Sequence, residues 1–116
     1  MAQYTYPGYG EVVPYDYENI TVSNSSIGFT AAKITVSDAA LNFPRARRAK
    51  TAFVTVEAQS VRVRWDGGAP VGGSSGHLLA PGDSIEFTGE NTIQKVRFIR
   101  EAAVDATIRV TYGRTA

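Results

Sequence analysis

Val61-Arg62-Val63-Arg64-Trp65-Asp66-Gly67-Gly68-Ala69-Pro70 decides how the chain is read. Val61, Val63 and Trp65 alternate with Arg62 and Arg64, which is the period-two pattern of a half-buried β-strand. The run ends on Asp66-Gly67-Gly68, where the backbone has to turn. On the N-terminal side, Thr51 to Glu57 alternates in the same way. Ala58-Gln59 then reads as a tight connection between two antiparallel strands, with Ala52, Val54 and Val56 sharing an inward face with Val61, Val63 and Trp65. Phe53 falls on the outward face, where an exposed aromatic ring on a small β domain hints at a partner surface.

Working toward the C-terminus, Gly67 to Gly76 is a glycine-rich loop with little to contribute to a core, either sharply close-packed or disordered. His77 to Leu79 is a short apolar strand, and Pro81-Gly82 has the order preferred by a type II turn. Ser84 to Thr88 is a strand with Ile85 and Phe87 on one face, followed by a turn over Gly89 to Asn91. Ile93 to Arg100 reads as a strand with Val96 and Phe98 inward. Glu101 to Val104 turns the chain into a last strand whose inner face is Ala106, Ile108, Val110 and Tyr112. Short strands about every ten residues, separated by turn signals, predict an all-β fold. The expected architecture is an antiparallel β-sandwich, jelly-roll-like or closed as a small barrel, over residues 19–116.

Toward the N-terminus, residues 1–18 hold five of the six tyrosines, Tyr4, Tyr6, Tyr9, Tyr15 and Tyr17, among Pro7, Pro14, Gly8 and Gly10. Proline and glycine disfavour a helix or a central strand here, so an extended N-terminal arm is expected. Each tyrosine carries an apolar body that needs a surface, on its own domain or on a neighbouring subunit. Ile20 to Val22, Ile27 to Phe29 and Ile34 to Val36 read as short strands, and Ser37 or Asp38 caps a helical turn that Pro44 ends. Arg45, Arg47, Arg48 and Lys50 form a basic cluster in a loop, a solvated gatekeeper or a contact for acidic groups on another protein.

Composition narrows the function. The chain has 116 residues, 43% of them hydrophobic, and no cysteine, which excludes disulfides, thiolate metal sites and cysteine nucleophiles. Residues 1–43 carry a net charge of −3 and residues 44–116 one of +4, a mild asymmetry able to draw copies together but too weak to argue for nucleic acid. No apolar run approaches the ~20 residues that span a bilayer, and the N-terminus lacks the pattern of a secretory signal, so the chain is expected to begin life in the cytoplasm.

Signs of catalysis are weak. His77 with Ser74 or Ser75 and Asp66 or Asp83 sketches a triad, but the serines lack a nucleophile-elbow context. The glycine-rich loop matches no phosphate-binding pattern. Asp66, Asp83, Glu86 and Glu90 as a carboxylate pair for glycoside hydrolysis read better as turn caps, and a single histidine gives no metal spacing. No catalytic residue, cofactor or metal site is expected. Trp65 beside Asp66 has the makings of a sugar-stacking pair, or is buried as the last inward residue of its strand.

Several strings together carry a resemblance: Val63-Arg-Trp-Asp-Gly-Gly-Ala-Pro70, Gly76-His-Leu-Leu79, Pro81-Gly-Asp-Ser-Ile85, Ile99-Arg-Glu-Ala102 and Ala106-Thr-Ile-Arg-Val-Thr-Tyr112. From about Thr51 to Tyr112 the chain resembles small β-rich virion structural proteins of tailed bacteriophages. The resemblance implies a virion component assembled in the host cytoplasm, first of all a capsid decoration or cement protein on the major capsid protein lattice. It implies a homo-oligomer, a trimer in the first instance, with no specific nucleic acid, membrane or enzymatic activity. A neck, head-completion, tail or fibre-attachment part is the alternative setting, and a carbohydrate-binding sandwich is the alternative class. The expected partner-binding residues are Tyr4, Tyr6, Tyr9, Tyr15, Tyr17, Arg45, Arg47, Arg48 and Phe53.

Overall fold

A computed structural model describes the backbone of residues 12–37 and 46–115, and all of their side chains except those of 36, 37, 46–48 and 115. In chain order the elements are β1 (Val12–Val22), α1 (Ala31–Ile34), β2 (Thr35–Ser37), β3 (Ala46–Arg48), β4 (Thr51–Glu57), β5 (Val61–Arg64), β6 (His77–Leu79), β7 (Ser84–Thr88), α2 (Glu90–Lys95), β8 (Arg97–Arg100) and β9 (Ala106–Thr115). They build an all-β sandwich of two antiparallel sheets, one in the order β1-β9-β4-β7 and one in the order β6-β5-β8, with β2 and β3 as a separate small ribbon.

The alternating residues meet between the sheets. Ala52, Val54 and Val56 of β4 and Ala106, Ile108, Val110 and Tyr112 of β9 are buried, as are Val61 and Val63 of β5 and Phe98 of β8. At about 1.5–3 kcal/mol for each fully buried large apolar side chain, these residues are the main source of the fold's stability. Phe29, expected in a strand, lies instead in the irregular segment between β1 and α1. Its ring plugs the core edge-on against Phe98, Tyr112 and Phe87, with centroids 5.7, 5.6 and 6.1 Å away. The Tyr112 hydroxyl donates to the Glu18 carboxylate. Burial, and then that bond, push its pKa well above the usual phenol range.

Five expectations are corrected. First, β4 and β5 are not a hairpin. Gln59 N–H bonds back to the Glu57 carbonyl (2.9 Å) and Ala58 takes φ 72°, so the chain crosses from one sheet to the other. The two apolar faces oppose each other across the core instead of lying side by side, a distinction that alternation alone does not carry. Second, residues 12–18, expected as arm, run on as strand into Val22. Pro14 is accommodated because β1 is an edge strand and its register slips between Pro14 and Asp16. Third, Ala46 to Arg48, expected in a loop, pair with Thr35 to Ser37, and Ile34 closes α1 rather than opening a strand.

Fourth, residues 90–95 are helical. Gly89 enters the turn at φ 102°, and Ile93 and Val96, three apart, are both buried; that spacing suits a helical turn better than a strand. Fifth, Trp65 lies beyond the end of β5 and remains 37% exposed. The Pro81-Gly82 turn forms as expected, with Gly82 at φ 93° and Asp83 N–H on the Ala80 carbonyl at 2.9 Å. The glycine-rich loop is close-packed. Val71 and Ser75 bridge across it, Gly73 N–H reaches Glu101 at 2.7 Å, and a Cβ on Gly72 would sit 2.6 Å from the Arg100 carbonyl oxygen.

Candidate functional site

The outer face of the four-stranded sheet brings together two of the expected partner residues that lie far apart in sequence. Tyr17 of β1 stands opposite Thr111 of β9, Thr111 opposite Phe53 of β4, and Phe53 opposite Glu86 of β7. The four side chains form one row across the sheet. With strands about 4.8 Å apart, Tyr17 and Phe53 stand roughly 10 Å from each other over the threonine. Both rings are nearly half exposed, at 47% and 45%. Asn19, Arg109, Thr55 and Ser84 make the adjacent row.

Tyr17 is held in place. Arg109 Nη1 donates to the Tyr17 hydroxyl (2.8 Å) and to Asn19 Oδ1 (3.1 Å), and the hydroxyl itself donates to Asn19 Oδ1 (2.7 Å). Arg109 Nε is fixed in turn by the Glu57 carboxylate. That carboxylate and then the tyrosine oxygen raise the guanidinium pKa above its ordinary value. A ring anchored by its polar tip offers its apolar body at little further cost in side-chain entropy. Farther along the sheet, Val12 is exposed, and a Cβ on Gly113 would meet Thr51 Oγ1 at 2.4 Å and Val12 Cγ1 at 2.8 Å.

Tyr15 is turned the other way by the register slip. It is half-buried against Tyr112 (centroids 6.4 Å apart), its hydroxyl donates to the Lys33 carbonyl, and the Arg114 guanidinium lies 5.4 Å from its ring centre. Burial raises its pKa. Its contacts are within its own domain. Arg47 and Arg48 belong to β3, paired with Val36 and Thr35, and nothing is described of their side chains. Tyr4, Tyr6, Tyr9, Arg45 and the turn expected over Asp38 to Asn42 lie outside the described residues.

A concave feature of about 360 Å³ opens beyond the end of β5 and is lined by Arg64, Trp65, Asp66, Ser75, Gly76 and His77. The His77 and Trp65 rings stack at 4.7 Å with 21° between their planes, and Phe87 packs on the indole at 61°. Asp66 accepts from Arg64 Nε (3.1 Å), Arg64 Nη2 (2.6 Å) and Gly68 N–H (3.1 Å). The arginine, then the backbone N–H, lower its pKa to about 2.

No family model, no curated protein and no solved structure matches the chain.

Of the residues sketched as a triad, His77, Ser75 and Asp66 line this cleft. Among the described residues, no hydrogen bond joins His77 to a serine or carboxylate. Asp83 caps its own turn through Ala80 N–H (2.8 Å), Glu90 pairs with Lys50 (2.7 Å), and Glu86 stands on the outer sheet face. Among the described residues there is no group of three potential metal ligands, and no helix is long and apolar enough to cross a membrane. Arg109, the residue that orients Tyr17, was legible in the sequence only as an outward position on the last strand. Its partners come from β1 and β4, and no local signal announces them.

Proposed function

We propose that the chain is a virion structural protein without catalytic activity, a capsid decoration protein that grips the major capsid protein lattice through the outer face of its four-stranded sheet. The observation that carries this reading is the Tyr17–Thr111–Phe53 row, two half-exposed aromatic rings on one sheet face, one of them fixed by Arg109 and Asn19. An apolar centre with a polar surround is the anatomy of a protein-binding patch. The resemblance over residues 51–112 supplies the virion setting. Tyr4, Tyr6 and Tyr9 precede, in sequence, the strand that carries Tyr17. Modest affinity per copy suffices, because a homo-oligomer on a symmetric lattice makes several contacts at once.

The test is cosedimentation of the purified protein with heads assembled from the major capsid protein of the same phage. Saturation at lattice stoichiometry is expected. The double variant Tyr17→Ser, Phe53→Ser should bind at least about tenfold more weakly, as expected when two aromatic anchors are lost, with an unchanged circular dichroism spectrum. Saturation at ring stoichiometry would move the protein to the neck or tail, and full binding by the double variant would remove the sheet face from the interface.

A further inference from the structure

The cleft at Trp65 is separate from the sheet face and has chemistry of its own. One side is aromatic, the Trp65 and His77 rings stacked so that each covers one face of the other and a ligand meets the outer face of the stack, and both residues line the opening. The other side is polar and rigid. Arg64 is tied at three points, to both oxygens of Asp66 and, at 3.3 Å, to the Ala69 carbonyl. Gly68 makes room for it, since a Cβ there would lie 2.5 Å from Arg64 Nη2. Ser75 is set by the Val71–Ser75 bridge, and the Gly76 carbonyl by Arg62 at 3.1 Å. The groups facing the cleft are thus in place before any ligand arrives, which limits the entropy lost on binding.

Charge selects the ligand class. Arg64 is already neutralised by Asp66, and the Asp66 side chain is 62% exposed with acceptor capacity to spare. A phosphate or carboxylate would meet an ionised Asp66, and the Arg64 guanidinium beside it is already engaged by that carboxylate. A purely apolar ligand would strip water from Asp66 and Arg64 without replacing the lost hydrogen bonds. What suits an aromatic plate beside a carboxylate–guanidinium pair is a neutral ring with one apolar face and a rim of hydroxyls. The volume, at the small end of the range of about 300–1,000 Å³ for ligand sites, fits one or two such rings.

We propose that the Trp65–His77 cleft binds a pyranose residue of a neutral glycan, its C–H face on the aromatic platform and its hydroxyls donating to Asp66 and accepting from Arg64 or Ser75. The proposal does not depend on attachment to capsids.

Trp65 is the single tryptophan of the chain, so its fluorescence reports on the site directly. The full-length protein is titrated with the methyl glycosides of glucose, galactose, mannose and N-acetylglucosamine, and with methyl glucuronide and inorganic phosphate as anionic probes. At least one neutral glycoside should shift the emission saturably in the millimolar range. Asp66→Asn should weaken that binding about tenfold or more, the cost of losing a charge-assisted hydrogen bond. The Tyr17→Ser, Phe53→Ser variant should bind the glycoside unchanged. If Asp66→Asn disturbs the turn, Ser75→Ala and Trp65→Phe, followed by saturation-transfer NMR on the glycoside, take its place, and both should reduce the signal. The proposal fails if no neutral glycoside binds, if an anionic probe binds as well or better, or if the cleft variants bind like the parent protein. A failure here with capsid binding intact leaves the decoration reading standing, and the reverse result leaves the glycan site standing.

Discussion

The two sheets present outer faces that look alike in sequence and differ in what their arginines hold. On the three-stranded sheet, Arg62 faces Leu78 and Ile99, and Arg64 faces Arg97. Two like charges directly opposite are unfavourable, but each is drawn away by its own partner. Arg64 goes to Asp66, Arg97 to the Ser26 hydroxyl (3.0 Å) and carbonyl (3.2 Å), and Arg62 to both oxygens of Glu101 (2.8 and 3.1 Å). These arginines stitch loops to the sheet. On the four-stranded sheet, Arg109 instead holds the Tyr17 hydroxyl, and Tyr17 and Phe53 stay half exposed on the face we propose for a partner. An outward arginine in an alternating strand therefore fastens a loop or fixes an exposed ring, and only its partners distinguish the two.

The comparison can be broken from its common base first. Phe98 is fully buried and packs on Phe29 and Phe87 between the sheets. Phe98→Ala should cost about 3–5 kcal/mol in urea denaturation and disable both faces together. Arg62→Ala should act on one face only. With Glu101 and the Gly76 carbonyl released, limited proteolysis between residues 67 and 76 should be several-fold faster while binding at the Tyr17–Phe53 row is kept.

A pH titration sharpens the contrast further. The folded pKa of Asp66 is depressed from the ordinary 3.8 to about 2. The stability it lends its turn is therefore complete above 3.8 and is lost as the pH falls through about 2. Trp65 emission should change across that acid window. The smallest effect belongs to the exposed row: Phe53→Ser should change unfolding stability by no more than about 0.5 kcal/mol. A larger loss in denaturation would mean that Phe53 serves the fold rather than a partner.

Alternation and turn residues were enough to establish which residues face inward within β4, β5 and β9. Val54, Val56, Val61, Val63, Ile108, Val110 and Tyr112 follow from the period of two, and Gly82 from the chemistry of a type II turn. Those signals are local, so the chain carries them whatever its neighbours are. The tertiary structure alone decided which strands became neighbours. Ala58 sends β5 into the other sheet, β1 returns to pair with β9, and Tyr17 thereby meets Phe53 across Thr111. A strand reads its own faces from its sequence, but its partners are set by the paths of the loops and the closure of the core, which no single stretch encodes.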